Sequence, residues 1–377
     1  MTASHSKDFM TRKILFALVS VILFTAVDCK DEPTKPPVTE QPQDTTSHNY
    51  VVTRVDTLGD LFSEALGVDI VDENNIWVVG LFTKGIDSIN SHSDSNYNAV
   101  HWDGSKWNML RIPMYGWNNT GPSPEELGGI KVFSDSSVFV VAKNDNSVAW
   151  WNGRKWTSTY VNDAVVSPHF WARSFNDIYF VSNEGRATHF NGQTFTKMTT
   201  GITNPPLTDI WGDDDEVFAT GHSIFMPEGT EHVLLYSNNI TSWQIVQKYT
   251  PTFENRGSML SIFKADNGSR LWMLGGKNSG SVWEITSLFP FEAKEVFNIN
   301  NITLYFVPYL IRGNADNDLI VVGAVNGELF HFNGKTWKML ETPLSNFSTQ
   351  GFDLKNNIYV IAGYTFDRAV VAVGRRN

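Results

Sequence analysis

Short apolar runs, each opened by a polar turn, recur from one end of the chain to the other. Seven copies stand out: Asn75-Ile76-Trp77-Val78-Val79-Gly80, Ser137-Val138-Phe139-Val140-Val141, Asp177-Ile178-Tyr179-Phe180-Val181, Glu216-Val217-Phe218-Ala219-Thr220-Gly221, Arg270-Leu271-Trp272-Met273-Leu274-Gly275, Asp318-Leu319-Ile320-Val321-Val322-Gly323 and Asn357-Ile358-Tyr359-Val360-Ile361-Ala362-Gly363. Their first apolar positions, 76, 138, 178, 217, 271, 319 and 358, lie 39 to 62 residues apart. Repeats of that period mark propellers and solenoids, and no helical period interrupts them.

A second element follows the run in four copies: His101-Trp102-Asp103-Gly104-Ser105-Lys106-Trp107, Trp150-Trp151-Asn152-Gly153-Arg154-Lys155-Trp156, His189-Phe190-Asn191-Gly192-Gln193-Thr194-Phe195 and His331-Phe332-Asn333-Gly334-Lys335-Thr336-Trp337. Asp-Gly and Asn-Gly favour two-residue type I′ hairpin turns, since both central positions need positive φ. That turn predicts Val100 opposite Trp107 and Phe330 opposite Trp337. The fourth and fifth copies keep degraded versions around Trp243 and Trp283.

With an inner strand ahead of each polar turn, such as Gly67-Val68-Asp69-Ile70-Val71 or Leu207-Thr208-Asp209-Ile210-Trp211, each unit has four strands. The last unit runs out at Val370-Val371-Ala372-Val373 with three. Tyr50-Val51-Val52-Thr53-Arg54-Val55, ahead of the first unit, reads as an unassigned strand that supplies the missing outer edge. The expected fold is therefore an all-β propeller of about seven four-stranded blades, with six or eight as the alternatives, closed by its N-terminal strand. Closure removes the exposed sheet edges on which β proteins aggregate.

The N-terminus carries a different signal. Arg12 and Lys13 precede an apolar run, Ile14 to Val27, too short for the ~20 residues of a membrane-spanning helix. A signal peptide fits it, with Met10-Thr11-Arg12-Lys13 a sufficient start and the nine residues before it reading as an over-called extension, and the single cysteine, Cys29, stands directly behind. Thr25-Ala26-Val27-Asp28-Cys29 resembles a bacterial lipoprotein processing site, with Asp28 a departure from its small residue, and Lys30-Asp31-Glu32 resembles a surface-export signal. The domain expectation follows: residues 1–29 a lipoprotein signal with Cys29 lipidated, 30–47 a Pro/Thr/Gln-rich disordered tether, and 48–377 the propeller. The implied location is the outer membrane, at the cell surface, with membrane contact through the lipid anchor only.

At the repeats the chain resembles a broad group of bacterial secreted propeller lipoproteins, whose blades read Ile-Trp-Gly, Asp-Ile-Trp-Ala-Val-Gly and His-Trp-Asn-Gly-x-x-Trp. The match covers roughly residues 60 to 363. The hairpin is also similar to the Asp-box of sialidase-like propellers, without its Ser-x-Asp opening. Members of the resembled group are often labelled glucosyl transferase, a label that maps onto no catalytic residue here.

Composition narrows the function. Lys and Arg total 29 against 40 Asp and Glu, a formal charge of −11, so a nucleic-acid partner is not expected. One cysteine excludes an internal disulfide and a cysteine-based metal site. Asp213-Asp214-Asp215 contains the Asp-x-Asp of metal-dependent glycosyltransferases, yet it occupies the same repeat turn as Asp72-Glu73-Asn74 and reads as a solvated turn. His101, His189 and His331 occupy one repeat position in three blades, which keeps them apart and argues against a zinc site. Of the Asn-x-Ser/Thr triplets, at Asn118, Asn239, Asn267, Asn301 and Asn346, chance explains most. No metal or cofactor is expected.

Loop lengths are more informative. Long connections join second to third strands (Leu81 to Asn98, His222 to His232) or one blade to the next (Met114 to Gly128, Thr250 to Gly257, Asn298 to Val307). Both kinds emerge on one face of a propeller, and recognition residues concentrate on such loops. Tyr97, Tyr115, Trp117, Asn118, Phe225, Met226 and Arg256 are the candidate ligand-binding residues. The functional expectation is a monomeric, non-catalytic exported lipoprotein binding a glycan or a protein through this face. The alternative is a carbohydrate-active enzyme, a glucosyl transferase or a propeller-type hydrolase or lyase.

Overall fold

Each of the seven apolar runs forms the second strand of a four-stranded antiparallel sheet in the computed structural model of the chain. The structure describes residues 45–377 apart from 86–95, 117–120, 203–205, 222–230, 250–256, 267, 278–279, 303–305 and 367. The signal, Cys29 and nearly all of the tether lie outside the described residues. Blades 1 to 6 run over residues 64–110, 127–160, 170–198, 207–249, 257–298 and 308–340. Blade 7 takes Phe347–Lys355, Ile358–Thr365 and Arg368–Arg376 from the end of the chain and Tyr50–Leu58 from its beginning. The seven-bladed propeller closed by its N-terminal strand is the observed fold.

The apolar runs arise because blades stack face to face, burying both sides of their middle strands. Asp318–Gly323 and Val217–Gly221 are buried at every position, while the outer strand Gln244–Tyr249 is largely open. Seven apolar clusters fill the seven junctions among the described residues. Val360, Ala362 and Val371 of blade 7 meet Ile76, Val78 and Phe82 of blade 1, so the last and first blades share one packed cluster. At the seam the pairing runs from Tyr50 opposite Arg376 to Leu58 opposite Ala369. Tyr50 and Leu58 are buried, and the residues between them alternate.

The hairpins depart from expectation. Trp102 pairs with Trp107 and Phe332 with Trp337, which leaves Val100 opposite Met109 and Phe330 opposite Met339. The turn therefore has four residues instead of two. Its cause is the Asx side chain: Oδ1 of Asp103 accepts the backbone N–H of Ser105 at 2.9 Å and of Lys106 at 3.0 Å, and Asn333 does the same for Lys335 and Thr336. Only the glycine then needs positive φ, 90° at Gly104 and 92° at Gly334. The aromatic pairs close the turn instead, with ring centroids 5.5 Å apart for Trp102 and Trp107 and 4.9 Å for Phe332 and Trp337. Asn239 caps the turn of blade 4 in the same way, which gives one Asn-x-Thr triplet a structural role.

Short turns, between first and second and between third and fourth strands, occupy one face. The longer connections occupy the other. Thr46 and His48, where the described chain begins, contact blade 6 at Asn317, Asn333 and Thr336, all on the short-turn face.

Candidate functional site

The first strands of all blades line the axis, and their beginnings, at the long-loop face, enclose a cavity of about 380 Å³. Glycines let the blades converge there. A Cβ on Gly67 would lie 3.0 Å from the carbonyl oxygen of Gly128, and one on Gly129 would lie 2.7 Å from the Phe170 ring. The wall mixes aliphatic residues, among them Leu66, Ile130, Ile210, Leu260 and Leu310, with glycines and the rings of Phe170, Tyr309 and Phe352.

The charges in this wall satisfy each other. Arg312 on blade 6 donates to both carboxylate oxygens of Asp209 on blade 4, at 2.6 and 3.0 Å, and its guanidinium lies 4.5 Å above the Trp211 ring. The same carboxylate accepts the Ser261 hydroxyl at 2.6 Å and the Ile262 N–H at 3.0 Å, on blade 5. Two further junctions use inner-strand carboxylates in this manner: Asp353 accepts the N–H of Ile70 at 2.8 Å, and Asp69 accepts that of Val132 as well as Lys131 Nζ at 2.9 Å. These aspartates splice neighbouring blades, so they are no free acids for catalysis. Buried carboxylates with several donors are held by the fold.

Beside Thr208, three polar side chains with assigned surroundings stand at the wall. The Tyr309 hydroxyl donates to the Gln350 carbonyl at 3.1 Å. Gln350 holds its own side chain through the Ser348 hydroxyl at 3.0 Å. His169 is held below the ordinary imidazole value by burial, which Asp209 only partly offsets, and is neutral at physiological pH.

The rim is apolar and open. Val307 is 50% exposed, Ile302 55%, Phe62 55% and Phe366 85%, and Val325 and Tyr309 are also exposed. All six lie in or beside inter-blade or second-to-third-strand connections, on the face where the cavity opens. Phe62 and Phe366 adopt left-handed φ, 66° and 53°, a conformation that costs a bulky residue roughly 1–3 kcal/mol. The remaining exposed large apolar residues are scattered over outer strands and short turns.

Of the residues singled out by sequence, Trp117, Asn118, Phe225, Met226 and Arg256 lie outside the described residues. Tyr97 opens the third strand of blade 1, packs towards Phe82 and carries Arg111 at 4.7 Å from its ring. Tyr115 pairs with Pro122 and folds over blade 2, where its N–H meets the Ser158 hydroxyl at 3.0 Å. The two tyrosines stand on different blades and neither lines the axial cavity. The cavity's own polar residues, His169, Tyr309 and Gln350, were not singled out by sequence. The one available signal was an acidic residue, Asp209, inside an apolar strand.

Asp213 behaves as a turn residue. Its Oδ1 accepts the N–H of Asp215 at 3.0 Å and of Glu216 at 2.9 Å, and Lys264 Nζ lies 2.6 Å from its carboxylate. His101, His189 and His331 stay in separate blades. Each Nε2 bonds the residue that opens the adjacent second strand: Asn75 at 2.9 Å, Asp177 at 2.7 Å and Asp318 at 2.8 Å. Among the described residues no group of three or more His, Cys, Asp or Glu is placed to hold a metal ion.

No protein-family model matches the sequence, and no curated protein matches it. Solved structures do resemble it in fold. Virginiamycin B lyase from Staphylococcus aureus superposes with a TM-score of 0.61 at 12% identity, covering 86% of this chain and 99% of the lyase. YCF48 bound to D1 peptide gives 0.58 at 12% identity, covering 88% and 98%. The WD40 β-propeller domain of Doa1 gives 0.55 at 11% identity, covering 88% and 98%. At these identities the likeness is one of fold, and the neighbours include binding propellers and a lyase.

Proposed function

We propose that the chain is a non-catalytic, exported binding protein that takes a protein partner at the channel mouth, inserting an apolar side chain or loop tip into the axial cavity. The observation that carries this is the set of exposed apolar residues running from the connection before blade 6 to the one before blade 1, on the face where a cavity with paired charges opens, with Val307 and Tyr309 in its wall. Isolated exposed apolar residues are ordinary, whereas a group of them around one opening marks a contact surface. A glycan site would call for free amides and carboxylates beside its aromatic rings, whereas Asp209 and Arg312 are occupied by each other and the Gln350 amide by Ser348, which suits protein better. The fold is compatible with peptide recognition, since a neighbouring propeller is a solved peptide complex.

Export rests on the N-terminal sequence, with Cys29 as the proposed lipid anchor.

A lyase is the second reading, favoured by the place of the His169 imidazole in the wall of the axial cavity, where it can reach a bound molecule as an acid or base. Parallel peptide and glycan arrays, probed with the detergent-solubilised full chain and with its Val307→Asp, Phe366→Ser double variant, separate the classes. Peptide binding lost in the double variant at unchanged melting temperature is expected. Glycan binding that survives it, or turnover abolished by His169→Ala, would overturn the proposal.

A further inference from the structure

The chain enters the propeller through an unusual contact. His48 Nδ1 lies 2.7 Å from His331 Nδ1, and His48 Nε2 lies 2.9 Å from the Thr336 hydroxyl. The two rings meet edge to face with centroids 4.7 Å apart. Beyond His331, its Nε2 lies 2.8 Å from Asp318, whose carboxylate also receives Arg376 and the Asn314 amide. Arg376 in turn donates to the Tyr50 hydroxyl. On the tether side, the Thr46 N–H bonds the Asn333 carbonyl at 3.1 Å and the Thr46 hydroxyl bonds the Asn317 carbonyl at 3.0 Å.

The proton count on the two imidazoles decides whether this joint holds. Ionised Asp318 requires a proton on His331 Nε2, because a carboxylate only accepts. With both rings neutral, His331 Nδ1 is a lone pair, His48 Nδ1–H donates to it, and His48 Nε2 accepts from the Thr336 hydroxyl, which then gives up its longer 3.2 Å bond to Asn333 Oδ1. One added proton is absorbed by reversing the chain: His331 Nδ1–H donates to His48 Nδ1, and His48 Nε2–H donates to the Thr336 oxygen. A second proton has no place. Both Nδ1 atoms would then carry hydrogens aimed at each other across 2.7 Å.

We propose that His48 and His331 form an acid-sensitive latch, whose double protonation frees residues 45–49 from blade 6 while the seam strand stays paired. The charged groups facing the pair point the same way. Burial, His331, Lys338 and Arg376, in that order, push His48 down to about 4, and Asp318 is the acid that holds the inner ring. Since the folded value lies below the ordinary 6.5, the latch is complete above about pH 6.5, weakens as pH falls and is lost through about pH 4. The seam itself is anchored by Tyr50, Leu58 and their backbone ladder, none of which titrates in this range.

Hydrogen exchange of the detergent-solubilised full chain tests this, with rates normalised for intrinsic pH dependence. Between pH 7.5 and 5, the peptide spanning residues 45–50 should lose about tenfold in protection, allowing for partial solvent screening of His48, while blade 1 peptides do not change. His48→Gln, which keeps hydrogen-bonding atoms and cannot titrate, should remove the pH response. In the parent chain, exchange of the His48 C2 proton reports its titration without any substitution. Unchanged protection at pH 5, a pH response surviving in His48→Gln, or His48 titrating near 6.5 would each overturn the latch.

Discussion

Asp209 and Arg312, on blades 4 and 6, form a doubly bonded ion pair that spans the inner strand of blade 5 between them, with Ser261 and Ile262 of that strand bonded to the same carboxylate. Their side chains are 8% and 13% exposed. Three blades therefore share one buried carboxylate, and removing one charge strands the other.

Asp209→Leu or Arg312→Met alone should cost about 3–5 kcal/mol, the range for a buried charge left without its partner. The pair Asp209→Leu with Arg312→Met should cost less than either single change, because no charge remains buried. Urea unfolding of the four proteins checks this, and additive losses would mean that the two side chains do not act as a pair.

The seam gives a second expectation. Deleting residues 48–57 removes the outer strand of blade 7 and the buried Tyr50. With about 1.5–3 kcal/mol for each large buried side chain, and an unpaired edge on Arg368–Arg376, the loss should reach several kcal/mol. A truncated chain that melts at the parental temperature would show that the ring does not depend on its N-terminal strand.

Asp213→Ala should destabilise by about 1 kcal/mol through the lost turn bonds, since Lys264 keeps Glu216 at 2.6 Å, and should leave binding at the mouth untouched. Burial raises this carboxyl, yet Lys264 and the N–H groups of Asp215 and Glu216 outweigh it and hold it below the ordinary 3.8. Its contribution is therefore present above about pH 3.8 and is lost as pH falls through the lowered value. Acid titration of the variant should lack that part of the stability loss. Metal-dependent turnover of a nucleotide sugar that vanishes in this variant would instead restore a transferase.

For the proposed anchor, Cys29→Ala should move the protein from the membrane fraction to the soluble exported fraction, as read by fractionation and blotting. Sedimentation of the variant with membranes at the parental level would remove the lipid anchor from the account.

The sequence by itself determined the blades, their order and the closing strand. A strand such as Asp318–Gly323, pressed between blades on both sides, must be apolar at nearly every position, so it reads as a continuous run wherever it occurs. Tyr50–Leu58 was legible for a simpler reason: blade 7 lacked a partner strand, and this segment had none. Hairpin register was not legible. Asp-Gly and Asn-Gly serve turns of two residues or four, and only the bonds from Asp103 or Asn333 to the N–H groups that follow select the longer one. The channel mouth was equally hidden, since its wall is assembled from the beginnings of first strands distributed over all seven blades. Asp209 and Arg312 stand 103 positions apart, and ring closure, a property of the whole chain, brings their charges to 2.6 Å.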